Sequence, residues 1–361
     1  MKADFYFDIV CPYAYMASLR VDSCFDEVSW KPILLIPGRS MTDWPEVRQR
    51  RIEEDLIREA RRHGLELSKP PDHPRRSVYA MRVVLAAADV RGAAARFFRA
   101  YWQEHLRVQD KEVCRQLASE LGVDPACVDD DHPLKAATAA ATERGVFGVP
   151  TVVTERGMFW GADRLHLAAG KAAEGFGVPS GRVRFFHDFA SPFSYLASTQ
   201  IASVAADVEW VPILLGALFK GIGTPMVPLH AFAKAKQDYL LKDLQDWSEH
   251  WGVPLNFSSR FPVRTVLALR VSILEPRAIH PLYRATWVED RDIGEPDVVR
   301  EVLREAGLDS DVVDRQREAR DVLFQNTQEA QRRGVCGVPT YETSGALIWG
   351  QDRLWTLKEF L

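Results

Sequence analysis

A chain of 361 residues, 47% hydrophobic and 27% charged, has the makeup of a globular protein of about two domains. Its formal net charge of -4 gives no general attraction to nucleic acid or to an anionic membrane. No apolar run reaches the roughly 18 residues that cross a bilayer, and five cysteines without a Cys-x-x-Cys pair argue against a disulfide framework or a zinc site.

Met1-Lys2-Ala3-Asp4 runs straight into an apolar strand over 4–8, with no signal-peptide core ahead of it, so a reducing cytoplasm is the expected location. Cys11-Pro12 then opens a helix, because the amide hydrogen that proline lacks has no partner in a first turn. A second strand is predicted over 28–35. Helical patterns follow over 52–62, 77–88 and 93–104. The run Arg48-Gln49-Arg50-Arg51, just before Glu53, Glu54 and Asp55, reads as a solvated helix face with opposite charges close by. Two short strands are expected to flank Val149-Pro150-Thr151, and a last helix to start near Asp163. The small, glycine-rich stretch 171–181 reads as a linker.

Beyond the linker the order begins again. A strand over 183–188 leads to Ser191-Pro192, and a second strand is predicted over 208–215. Cys11 aligns with Ser191, and Trp30-Lys31-Pro32-Ile33-Leu34-Leu35 with Trp210-Val211-Pro212-Ile213-Leu214-Leu215. Later, Gly145-Val146-Phe147-Gly148-Val149-Pro150-Thr151 aligns with Gly334-Val335-Cys336-Gly337-Val338-Pro339-Thr340. Trp160-Gly161-Ala162-Asp163-Arg164-Leu165 aligns with Trp349-Gly350-Gln351-Asp352-Arg353-Leu354. Repeats this long are whole domains, expected at 1–174 and 181–361. Strand, helix, strand implies a parallel pair with a right-handed crossover. A later hairpin and a covering helix complete a four-stranded α/β sheet around a helical insertion.

This order of motifs resembles the DsbA-like thioredoxin fold. Within it, the chain is most similar to 2-hydroxychromene-2-carboxylate isomerases and kappa-class glutathione transferases, over nearly its whole length and twice. The resemblance implies two thioredoxin-like domains, here fused where a one-domain subunit is usual, and an intramolecular pseudo-dimer of the two. It implies glutathione as cofactor and a conjugated or aromatic-derived small molecule as substrate. It also implies a site. The Ser191 hydroxyl would hydrogen-bond the glutathione sulfur at a helix end that favours an anion. Val338, before a cis Pro339, would hold the cysteinyl part through its backbone. Lys236 would meet a carboxylate, and Thr224 stands where asparagine is usual. Asp352, with Arg353 beside it, would meet the γ-glutamyl end. Plainer readings stand beside these: Ser191 and Asp352 as helix caps, Val338-Pro339 as a strand end, and Lys236 as a solvated lysine.

In the first copy, register puts Arg48 at the Lys236 position and Arg51 at the Tyr239 position, after a shorter stretch following Leu35. Asp290 and Asp292 of Trp287-Val288-Glu289-Asp290-Arg291-Asp292-Ile293, a segment to which no role is assigned, have no acidic match there. A diverged copy kept for packing is the expectation. Cys11 is the exception. At a helix N-terminus it is either a thiol of lowered pKa or a small buried residue. Without a second cysteine, a mixed disulfide could not be resolved within the chain. Cys24, Cys114, Cys127 and Cys336 are expected to be structural, and His187 to be a core histidine with a general-acid role as the alternative. The function implied by the resemblance is cis–trans isomerisation by reversible addition of the glutathione thiolate to a conjugated carbonyl compound. A conjugating transferase, or a thiol–disulfide enzyme built on Cys11, are the alternatives.

Overall fold

Phe5, Phe7 and Ile9 in the first copy, and Phe185, Phe186 and His187 in the second, are fully buried. Such near-continuous burial fits a strand covered on both faces. In the computed structural model, which describes residues 1–35 and 44–361, these strands lie inside their sheets. The first sheet has the order β2-β1-β3-β4, with β1 at Lys2–Phe7, β2 at Glu27–Pro32, β3 at Thr151–Thr154 and β4 at Gly157–Trp160. The second repeats it as β6-β5-β7-β8, with β5 at Ser180–His187, β6 at Ala205–Pro212, β7 at Thr340–Glu342 and β8 at Leu347–Trp349.

Register is the same in both. Phe5 lies opposite Trp30 in the parallel pair and opposite Val152 in the antiparallel one. Phe185 lies opposite Trp210 and Tyr341. The helical insertion runs between β2 and β3, and between β6 and β7. Val149-Pro150 and Val338-Pro339 are both cis. Both short strands follow the Val-Pro pair rather than flanking it, since the cis bond ends the preceding loop and Thr151 or Thr340 begins the pairing. The last helix is preceded by a tighter turn, at Ala162–Arg164 and at Gln351–Arg353.

The linker expectation is corrected at one residue. Phe176 is buried in the core of the second copy with Val183, Phe185 and Tyr341, its ring 4.6 Å from that of Trp355. Glycine content set the reading of that stretch, but one aromatic side chain is enough to anchor it.

By contacts the chain forms two units. The first takes in the described residues of Met1–Ser40, with Leu56–Ala172 and Lys234–Tyr239. The second takes in the described residues of Met41–Asp55, with Ala173–Ala233 and Leu240–Leu361. Helix Glu46–Arg62 and its counterpart Lys234–Trp251 are therefore each divided between the units. The stretch after Leu35 that is short in the first copy lies partly outside the described residues. Among the described residues, no helix is long and apolar enough to cross a membrane.

Candidate active site

The turn between β5 and helix Pro192–Gln200 is held from three sides. Asp188 accepts the Ala190 amide at 3.0 Å and the Leu215 amide at 2.8 Å. The Ser191 amide donates to the Asp188 carbonyl at 3.1 Å. The Trp287 indole nitrogen donates to the Phe189 carbonyl at 2.8 Å. The first copy repeats this with Asp8 and with Trp102, which donates to the Ile9 carbonyl at 2.8 Å. Neither aspartate nor tryptophan was assigned a role from sequence, although both recur in register.

Burial pushes the Asp188 carboxyl up to about 6, against the amides of Ala190 and Leu215 and the Thr265 hydroxyl, which favour the anion. A carboxyl raised in the folded state binds its proton more tightly there than in the unfolded chain. Its contribution to stability is therefore greatest at low pH and is lost as pH rises from about 4 through about 6. Relative to Asp188→Asn, the parent should gain about 2 kcal/mol between pH 7.5 and pH 4.5. Urea unfolding of both proteins at the two pH values measures this. A difference that does not change with pH would show that Asp188 is ionised throughout.

Ser191 is the N-cap of helix Pro192–Gln200. Its hydroxyl oxygen accepts the Ser194 amide at 3.1 Å, and its hydrogen goes to the Val338 carbonyl at 3.3 Å. Serine, helix end and cis Val338-Pro339 thus meet as the register required. Thr224 is buried just past the left-handed Gly223, and its hydroxyl has no partner among the described residues. Asp352 folds back over Gly350, where a Cβ would fall 2.4 Å from its carboxylate, so only glycine, at φ 118°, fits. Arg353 is braced by two carboxylates. Its Nε sits 2.9 and 3.0 Å from the two oxygens of Asp55, and its other end reaches Asp352 at 3.3 Å.

Cys11 occupies the same place in the first unit, with Sγ 3.3 Å from the Val149 carbonyl. Of the two readings of Cys11, burial favours the small buried residue. Burial pushes the thiol up to about 12; the Ala14 and Tyr13 amides oppose this, and Asp8 adds to it. The helix end is real, but the sulfur is out of water. Alkylation of Cys11 by iodoacetamide at pH 8 should be about 1000-fold slower than that of a free cysteine. Mass spectrometry of the intact fold would reveal this, and rapid labelling would restore the reactive reading. His187 is fully buried, with Nδ1 3.0 Å from the Tyr283 hydroxyl, and burial lowers its pKa to about 3. It is a neutral core residue.

Lys236 groups with the first unit and Arg48 with the second. Lys236 belongs to the first unit, where its Nζ lies 4.6 Å from the ring centre of Trp160. Tyr239 follows it there, its hydroxyl accepting the Trp160 amide at 2.8 Å. Arg48 belongs to the second unit, with its guanidinium 5.1 Å from the ring centre of Trp349. The run 48–51 is therefore solvated only in part: Arg50 is exposed, whereas Arg51 is buried, and reaches the Leu347 carbonyl at 3.4 Å. Positions three apart share one side of the helix, and both arginines use it.

A family profile described as DSBA-like thioredoxin domain matches residues 2–172 and again 182–361. A 2-hydroxychromene-2-carboxylate isomerase of Pseudomonas putida is 30% identical over 49% of this chain and 92% of its own length. A glutathione S-transferase kappa 2 of Caenorhabditis elegans is 29% identical over 50% of this chain and 91% of its own. Among solved structures, a 2-hydroxychromene-2-carboxylate isomerase aligns at 24% identity with a TM-score of 0.41, over 47% of this chain and 93% of that one. Each relative thus corresponds to about half of this chain.

Proposed function

The chain belongs to the DSBA-like thioredoxin domain family, twice over, and from that premise we propose that it is a glutathione-dependent cis–trans isomerase working at Ser191. The observation that carries this reading is the Ser191 hydroxyl at a helix N-cap, 3.3 Å from the carbonyl that precedes cis Pro339. Relatives named as isomerases and as glutathione transferases support the same thiol chemistry.

The residues fit the cofactor. Thr224 has a buried hydroxyl without a partner, which a polar ligand group would satisfy. Bound glutathione would supply the thiol that adds reversibly to a conjugated double bond. Ser191, whose one hydroxyl hydrogen goes to the Val338 carbonyl, would be the donor for the sulfur of the bound thiol. The helix end, held by Asp188 and Trp287, adds its partial positive charge. The Val338 backbone would hold the peptide, and Asp352 would hold its amine.

The test is product analysis with a conjugated aromatic carboxylate as substrate. An isomerase returns the thiol unchanged, and its concentration stays constant while substrate converts. Consumption of one thiol per product would establish the conjugating transferase instead, the reading that the kappa-class relative favours. A thiol–disulfide role for Cys11 has less support, because its thiol is buried and the helix holds no second cysteine.

A further inference from the structure

Beneath the turn at Ser191 the two copies differ in polarity. His187 and Tyr283 are buried side by side, with ring centres 5.8 Å apart and Nδ1 3.0 Å from the phenol oxygen. The first copy has Phe7 and Phe98 at these positions, also buried, with ring centres 6.0 Å apart. The two tryptophans that hold the turns, Trp102 and Trp287, set this register. Ser194 and Tyr341 likewise stand where the first copy has Ala14 and Val152. Their hydroxyls are buried without a partner among the described residues. Four polar side chains thus occupy a core that the first copy fills with apolar ones, and buried polar groups are costly unless fully paired.

The turn does not need them in order to form. The Cys11 amide donates to the Asp8 carbonyl at 3.0 Å, and the Ser191 amide to the Asp188 carbonyl at 3.1 Å. Phenylalanines lie beneath the one turn and the polar pair beneath the other. What the pair adds is a second donor. The Tyr283 hydroxyl lies 3.4 Å from the Asp188 carbonyl oxygen, the atom that also takes the Ser191 amide. A phenol has one hydrogen. Given to that carbonyl, it leaves the phenol oxygen to accept Nδ1–H from His187. The histidine is then held as one tautomer, with Nε2 unprotonated and unpartnered. The Asp188 carbonyl brings partial negative charge to a helix end that favours an anion, and a donor on its oxygen offsets that charge. Asp188, His280 and Tyr341 are the other titratable groups that act on the pair.

We infer that Tyr283, oriented by His187, is a positioning residue of the Ser191 centre, with no hydroxyl counterpart in the Cys11 copy. This role rests on the reading of Ser191 as the thiol site. Tyr283 acts through the Asp188 carbonyl and the Ser191 amide, and His187 acts only through Tyr283.

The test uses the full chain and two probes. Ultraviolet absorbance of bound glutathione against pH gives the pKa of its thiol. Calorimetry with S-methylglutathione, which has no thiol to ionise, reports binding alone. Tyr283→Phe should raise the bound-thiol pKa by about half a unit to one unit, a 3- to 10-fold change in ionisation of the size one neutral hydrogen bond supplies. Affinity for S-methylglutathione should stay within about twofold of the parent. His187→Phe should shift the pKa in the same direction, and the double variant no further than Tyr283→Phe alone. The double variant carries the phenylalanine pair of the first copy, so it decides the matter if a single variant folds poorly. Any of four results overturns the role: a bound-thiol pKa in Tyr283→Phe within about 0.2 unit of the parent, a parallel loss of S-methylglutathione affinity, full additivity of the two substitutions, or a double variant that does not fold. If Ser191→Ala moves the pKa and Tyr283→Phe does not, the thiol reading stands alone. If the parent does not bind glutathione, or binds it with an unshifted thiol pKa, both fall.

Discussion

Ser191→Ala is expected to lower isomerase turnover about 10- to 100-fold and to raise the pKa of bound glutathione by about one to two units. A single charge-assisted hydrogen bond contributes roughly 1.5–3 kcal/mol, and 1.36 kcal/mol is tenfold in rate. The helix end would remain, so the thiolate would keep part of its stabilisation. The fold would lose a cap, because the Ser194 amide would have no acceptor, at a cost of about 1 kcal/mol. It would also lose the bond to the Val338 carbonyl. The two effects separate by measurement. Ultraviolet absorbance of the bound thiolate against pH reports the sulfur, and thermal unfolding reports the cap. Full turnover with only a lowered melting point would reduce Ser191 to a helix cap and move the chemistry elsewhere.

Asp55→Ala should lower the melting temperature of the second unit by roughly 6–12 °C. The Asp55 and Arg353 side chains are 15% and 11% exposed, and Arg353 meets both carboxylate oxygens through one nitrogen. Removing one partner of such a buried pair leaves the other desolvated, at a cost of about 3 kcal/mol or more. Asp352 remains within 3.3 Å of Arg353 and holds the loss to the lower end of that range. For a unit of this size, each kcal/mol corresponds to about 2–4 °C. The double variant Asp55→Leu, Arg353→Met should be milder than the single one, since no guanidinium is left buried without Asp55, and only the 3.3 Å contact to Asp352 is lost with it. Calorimetry of the three proteins decides the matter, and a shift under 1 °C for Asp55→Ala would mean that water screens the pair.

The parts of the site that sequence made legible are those fixed by neighbours along the chain. Ser191-Pro192 marked a helix start because serine and proline act within one turn. The repeat placed Val338-Pro339 against it, since the same pair recurs after the same elements. What sequence could not carry is who meets whom across hundreds of residues. Arg48 looked solvated because its acidic neighbours are near in sequence, whereas the structure sets it on Trp349. Lys236 was assigned by motif to the serine of its own copy, yet Tyr239 and Trp160 place that turn with the first unit. Cys11 sits at the helix end that lowers a thiol pKa, but its burial depends on residues far along the chain. Asp290 illustrates the reverse case. Its absence from the first copy was visible, but its work was not: it takes the Ser259 amide at 2.9 Å from a left-handed corner, φ 54°. His105 turns the same corner without a carboxylate.

Two copies on one chain have a consequence for how such a protein can change. When two identical subunits share a gene, every substitution arrives in both sites at once, and a site can be altered only if the assembly survives the loss of its twin. Here each position has two codons. Position 11 is cysteine where position 191 is serine, and position 48 is arginine where position 236 is lysine. Helices Glu46–Arg62 and Lys234–Trp251 are each divided between the units, so the sequence of each copy contributes residues to both. Selection on one centre then preserves the sequence of the other as scaffold, which is a route by which a retired site stays folded and open to a new use.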